Sequence, residues 1–259
     1  MTRKIAICNQ KGGVGKTATT LGLASAVAHT GGNVLVVDMD PQGNATTGLG
    51  FSVSDDVSTT FDLMSRTSPG TAADAVVATR WDRVDLIPAD EALANIESDG
   101  SNDLIFRLDI AFEGLDLSSY RAVLFDCPPS LGKLLFAVLC AVDGVVAVTE
   151  PTIDSVRGVE NLQETIRNVQ MRPNPSIVLD KIVLSRKRAT GEHKFREEEL
   201  RTTYGDLVAR TAIPELAARQ DAHSAQTPIH GFTGGKSLSL QIAYSDLLAE
   251  LPIITGAPA

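Results

Sequence analysis

An α/β domain on a mostly parallel, twisted sheet with helices on both faces is the fold that three observations predict. Apolar, β-branched runs recur along the chain, segments of helical pattern separate them, and no linker-like tract divides the 259 residues. The runs 4–9, 34–38, 84–88, 122–126, 144–149, 177–185 and 207–214 read as strands. Their apolarity is continuous rather than alternating, as expected of strands buried on both faces. Residues 17–29, 131–141, 156–169, 197–204 and 237–251 carry helical patterns, and Gly31-Gly32 stops the first of them. Residues 52–70 and 231–235 read as loops, so one domain over 1–259 is expected.

Bulk composition narrows the class. Hydrophobic residues make up 43% and charged residues 21%, which suits a soluble globular chain with an ample core. Cys8, Cys127 and Cys140 form no CxxC pair, so they read as buried small hydrophobes in a reducing compartment. His29, His193, His223 and His230 show no metal-ligand spacing and read as surface or helix-end residues, and Trp81 reads as a packing residue. A strand-like run begins at residue 4, leaving no room for a leader, and no apolar run is long enough to cross a bilayer. A cytoplasmic protein is expected.

The most informative stretch is KGGVGKT, Lys11 to Thr17, between an apolar strand and a small-residue helix. Strand, glycine loop and helix start form the layout in which backbone N–H groups wrap a polyphosphate. Gly12, Gly13, Val14 and Gly15 supply the turning backbone, Lys16 reaches the β- and γ-phosphates, and the Thr17 hydroxyl ligates Mg²⁺. One detail departs from the general pattern: Gln10 stands where the first glycine is usual, and a second lysine, Lys11, follows it. Two further strand ends carry acids. VLVVDMDPQGNAT places Asp38 and Asp40 at the carboxyl edge of the sheet, where open α/β folds bind ligands. AVLFDCPPSLG places Asp126 at the end of an apolar strand, as for the acid that holds Mg²⁺ in phosphate-loop NTPases. Pro128-Pro129 stiffens the loop after it.

These three segments, in this order, resemble the deviant Walker A ATPases of the ParA/MinD superfamily, most closely the short, Soj-like partition ATPases without a separate N-terminal DNA-binding domain. The resemblance is strongest over residues 4–50 and 120–132. It implies ATP and Mg²⁺ as ligands and slow, partner-stimulated hydrolysis. It further implies a homodimer formed on ATP binding, non-specific DNA binding on the nucleoid, and a ParB-like centromere-binding or adaptor partner. Under it, Lys11 reaches across the dimer to the partner's phosphates. Lys16 and Asp40 serve the reaction, Asp40 at the attacking water. Thr17, Asp38 and Asp126 serve the metal, and Pro214 lies near the adenine.

Two departures stand out. Ala18 occupies a position where the family carries threonine, a loss of one hydrogen bond worth about 1 kcal/mol. After Ile213-Pro214, Glu215 and Ala218 stand where the family has DNA-binding arginines, with Arg219 one place later. The chain's net charge of −9 disfavours phosphate binding overall, yet residues 181–201 hold seven basic residues against four glutamates. Arg196 to Arg201 pair with neighbours at helical spacing, whereas Arg186-Lys187-Arg188 have no acid beside them in sequence. Arg186, Lys187, Arg188, Lys194 and Arg219 are therefore the candidate DNA contacts. A MinD-like membrane or cargo-positioning role and a biosynthetic ATP-dependent ligase are the alternatives. The tail, residues 247–259, has no lysine or arginine, which disfavours membrane docking.

Overall fold

In the computed structural model, which describes residues 2–253, the runs of Val, Ile and Ala pair into one seven-stranded sheet. Its strands are β1 (Arg3–Cys8), β2 (Asn33–Asp38), β3 (Val77–Ala78), β4 (Val84–Ile87), β5 (Tyr120–Asp126), β6 (Gly144–Thr149) and β7 (Val178–Leu184). The order across the sheet is β3-β4-β2-β5-β1-β6-β7, parallel throughout except for β3, which runs antiparallel to β4. Pairing Ile7 with Asp126 and Asp38 with Asp126 brings the ends of β1, β2 and β5 to one edge.

Helices cover both faces: α1 (Lys16–His29), α2 (Asn44–Gly48), α3 (Thr60–Ser65), α4 (Thr71–Asp74), α5 (Leu104–Phe112), α6 (Lys133–Ala141), α7 (Ser155–Gln170), α8 (Gly191–Tyr204), α9 (Ala217–Ser224) and α10 (Ser237–Glu250). The period-2 alternation of a strand assigns side chains to the two layers. Ile5 and Ile7 of β1 pack with Leu23, Val27, Leu240 and Leu247 under α1 and α10. Ala6 and Cys8 face Leu108, Leu135 and Val138 on the α5–α6 side. All three cysteines are buried and free, as their spacing predicts.

Four expectations differ from the fold. Residues 207–214 do not form a strand: only isolated bridges join Ile182 to Val208 and Lys187 to Pro214. The reason is local. The Arg210 and Thr211 amides donate to the Glu250 carboxylate at 2.7 and 2.8 Å rather than to a neighbouring strand, and Pro214 has no N–H to give. Residues 52–70 contain α3, which a capping box of Thr59 and Asp62 starts. α8 begins at Gly191, ahead of the expected residue 197, because the Thr190 hydroxyl caps it. His193 is buried, its Nδ1 accepting the Arg188 amide at 3.2 Å, and His230 is half-buried with its ring bonded to Ser25. Residues 254–259, the end of the tail considered above, lie outside the described residues.

Candidate nucleotide-binding site

The loop between β1 and α1 takes its shape from its glycines. Gly13 and Gly15 have φ of +75° and +99°, the left-handed region that an L side chain rarely adopts. A Cβ on Gly15 would also stand 2.5 Å from the Ser185 hydroxyl, so the loop packs directly on the end of β7. The Asn9 side chain fastens the loop's start: its Nδ2 donates to Val148 O at 2.7 Å, and its Oδ1 accepts the Lys11 amide at 3.0 Å. Val14 anchors the middle by burying its side chain in the core.

The two lysines point to different places. Lys16 is buried in the cleft, its ammonium 3.3 Å from the Lys11 carbonyl. Burial holds its pKa below the ordinary lysine value, against the opposing pull of Asp126 and Asp40. Lys11 is exposed, and its Nζ lies 3.4 Å from both Thr152 Oγ1 and Asp154 Oδ2 on the neighbouring rim. It does not line the cleft that Gly12, Gly13, Gly15, Lys16, Thr17 and Ala18 form.

The carboxylates converge beneath the loop. Asp126 is fully buried; its Oδ1 accepts the Thr20 hydroxyl at 2.9 Å, and its Oδ2 has no hydrogen-bond partner. Burial and then the Asp38 charge push its pKa up. Asp38 is spent on the backbone of its own turn: Oδ2 accepts both the amide and the hydroxyl of Thr46 at 2.8 Å, and Oδ1 accepts the Asp40 amide. It therefore fixes where Asp40 stands, and burial raises its pKa to about 6. Asp40 lines the cleft, with Oδ1 accepting the Gln42 amide at 3.0 Å.

These residues suit Mg²⁺. Asp126 Oδ2 is an orphaned buried oxygen, and the Thr17 side chain acts on the same carboxylate, opposing the rise in its pKa. Among the described residues no group of three or more His, Cys, Asp or Glu side chains forms a metal cage of its own. That is the pattern of an ion that shares its oxygens with substrate phosphates and water.

The cleft, about 750 Å³, is of the size that holds a nucleotide. Its outer wall includes residues with no motif to mark them: Trp81, Arg219, Gln220, His223, Ile229 and Tyr244. Trp81 packs as expected, with Nε1 donating to Gln226 O at 2.9 Å, but it also faces this cleft. Thr20 and Thr46 were likewise missed, although Thr20 sits one helical turn past Thr17 and so shares its face. Pro214 does not line the cleft; it is bridged to the backbone of Lys187 instead.

The basic triad is not free. Arg186 pairs with Glu215 at 2.7 Å and Glu150 at 3.5 Å, Lys187 with Glu197 at 2.5 Å, and Arg188 with Glu150 and Glu215. The acids missing beside it in sequence arrive through the fold. Arg186 Nη1 also donates to Gly13 O at 2.8 Å, tying this network to the phosphate loop. Lys194 lies exposed on α8, and Arg219 faces the cleft.

A family model for an AAA domain matches residues 2–179. The chain is 35% identical to the sporulation initiation inhibitor protein Soj of Bacillus subtilis over 232 residues, which cover 88% of this chain and 90% of Soj. It is 34% identical to the chromosome partitioning protein ParA of Caulobacter vibrioides, over 88% of this chain and 86% of that one. A solved structure of cobyrinic acid a,c-diamide synthase from Mycobacterium smegmatis, with a bound ATP analogue and magnesium, matches with a TM-score of 0.75. Its identity is 30%, over 87% of this chain and 91% of that one. The matched segment takes in the glycine loop and all three strand-end carboxylates, and the chain belongs to the ParA/Soj family of deviant Walker A proteins.

Proposed function

We propose that this protein is an ATP-hydrolysing partition switch, whose ATP-bound form is a homodimer that holds DNA without sequence preference. The observation that carries the reading is the division between its two lysines. Lys16 is buried in its own cleft, whereas Lys11 stands on the rim, clear of that cleft and exposed to solvent. A cation delivered from a neighbour stabilises charge on the transferring phosphoryl only while the dimer exists.

Within one subunit, the Gly12–Thr17 amides and Lys16 hold the phosphates. Thr17 and Asp126 would hold Mg²⁺, which neutralises charge on the phosphate oxygens. Asp38 keeps Asp40 at the cleft wall, where its carboxylate orients the attacking water and accepts a proton as that water adds. Hydrolysis is slow in the isolated protein and is stimulated by a ParB-like or adaptor partner on the nucleoid.

The DNA reading draws on the family rather than on an evident basic face, because the triad is largely neutralised in place. Exposed Lys194 and the half-exposed Arg188 are the cations offered to phosphates, and a shallow salt dependence is expected. The synthase name of the M. smegmatis structure favours one alternative, an amide-forming ligase that consumes a carboxylate.

The decisive experiment is Lys11→Ala, with oligomeric state read by light scattering in a non-hydrolysable ATP analogue and Mg²⁺. Loss of the dimer with retained ADP binding by the monomer is expected; a dimer that persists refutes the cross-subunit role. ATPase stimulated by DNA and partner supports the switch, and stimulation by a carboxylate substrate instead supports the ligase.

A further inference from the structure

Arg219 differs from the other candidate DNA cations in where it sits and what it lacks. Arg186, Lys187 and Arg188 each meet a glutamate, and Lys194 projects from α8 into solvent. Arg219, on α9, lines the same cleft as Lys16, Thr17 and Ala18. Its Nε is buried with no hydrogen-bond partner, and among the described residues no carboxylate pairs with its guanidinium. A buried, unpaired guanidinium donor is costly to keep unless something accepts from it. The Tyr244 hydroxyl lines this cleft too, fully buried and also without a partner. Beside the guanidinium, burial and then the Arg219 charge hold His223 below the ordinary histidine range, and Asp40 is the carboxylate that lines the same cleft.

The loop side of the cleft has a matching deficit. Ala18 follows Thr17 into the cleft with only a methyl group, so the first turn of α1 offers no further side-chain donor there. The cleft thus has amides and one ammonium on its loop side and an unused cation on its α9 side. We infer that Arg219 is a nucleotide ligand rather than a DNA contact, donating from the α9 side of the cleft to the phosphate chain of a nucleoside polyphosphate. This rests on the nucleotide-site reading above but requires neither the dimer nor DNA. A planar, permanently charged fork suits phosphate oxygens better than a lysine in its place.

The test is binding to the 259-residue chain, measured by calorimetry and by fluorescence of Trp81, the single tryptophan and a lining residue of the cleft. ADP with Mg²⁺ is compared with adenosine, in the parent, Arg219→Gln and Arg219→Lys. The expected result is an ADP affinity about ten-fold or more lower in R219Q, a smaller loss in R219K, and unchanged adenosine binding. Melting temperatures near that of the parent exclude simple loss of fold. Equal loss for adenosine and ADP would mean that Arg219 only shapes the wall, and the inference would be overturned. Unchanged ADP affinity together with weakened DNA binding would also overturn it and return Arg219 to the DNA surface. A parent that binds no ADP would instead refute the nucleotide-site reading itself.

Discussion

Two regions flank the phosphate loop, and they keep their charges in opposite ways. On one side Asp38, Asp40 and Asp126 lie buried, held by amides and hydroxyls, with no Lys or Arg paired to them among the described residues. On the other, Arg186, Lys187 and Arg188 are matched by Glu150, Glu197 and Glu215 into a network that leaves no charge of the triad unanswered. Unpaired carboxylates crowded in low dielectric are unfavourable until a cation arrives. Paired surface charges need nothing further and contribute little to stability. The first region is therefore built to bind, and the second is built to hold the loop in place.

The largest expected effect comes at the seam between them. Gly15→Ala places a Cβ against the Ser185 hydroxyl at a φ of +99°, and nucleotide binding should be lost, with a lowered melting temperature. Near-parent ADP affinity in that variant would show that the seam is slack. Asp126→Asn sharpens the account of the acidic side. It should abolish the Mg²⁺ dependence of ATP-analogue binding, because it removes the charge from the orphaned buried carboxylate. The apo protein should melt at or above the parent temperature, since burial opposes the carboxylate that is removed. A large drop in apo stability would break the contrast. The smallest effect belongs to Glu215→Gln, which frees Arg186 and Arg188. Stability should shift by less than about 1 kcal/mol. DNA affinity should rise, with a log–log salt slope steeper by about 0.9 for each new phosphate contact. Weakened DNA binding in this variant would mean that Glu215 orients the arginines for DNA rather than neutralising them.

The same contrast explains what could be read from the sequence. The glycine loop, Asp38, Asp40 and Asp126 were legible because each sits at a strand end, and parallel strands bring their carboxyl ends to one edge. Local rules carry that far. The triad's partners were not legible, since Glu150 follows β6 and Glu215 lies beyond α8, and only the fold makes them neighbours. Arg219 and Tyr244 were hidden for the same reason: helices α9 and α10 bring them to the cleft without any motif. Residues 207–214 looked like a strand because their apolar content is strand-like, but Glu250 from a distant helix takes the amides that a strand would have used. Burial and pairing partners are properties of the tertiary structure, and charge counted along the chain does not anticipate them.

The two-residue strand β3 has a consequence for the borders of the sheet. It lies antiparallel on β4 and covers that border of the sheet. At the opposite border, Ala209 donates to Ile182 O at 2.9 Å and Ile213 to Leu184 O at 2.8 Å, so a loop occupies β7's open side. The border at β7 is thereby occupied, and the border at β3 is a strand of only two residues, a poor template for strand addition. The sheet is in this way kept from growing strand by strand through its backbone.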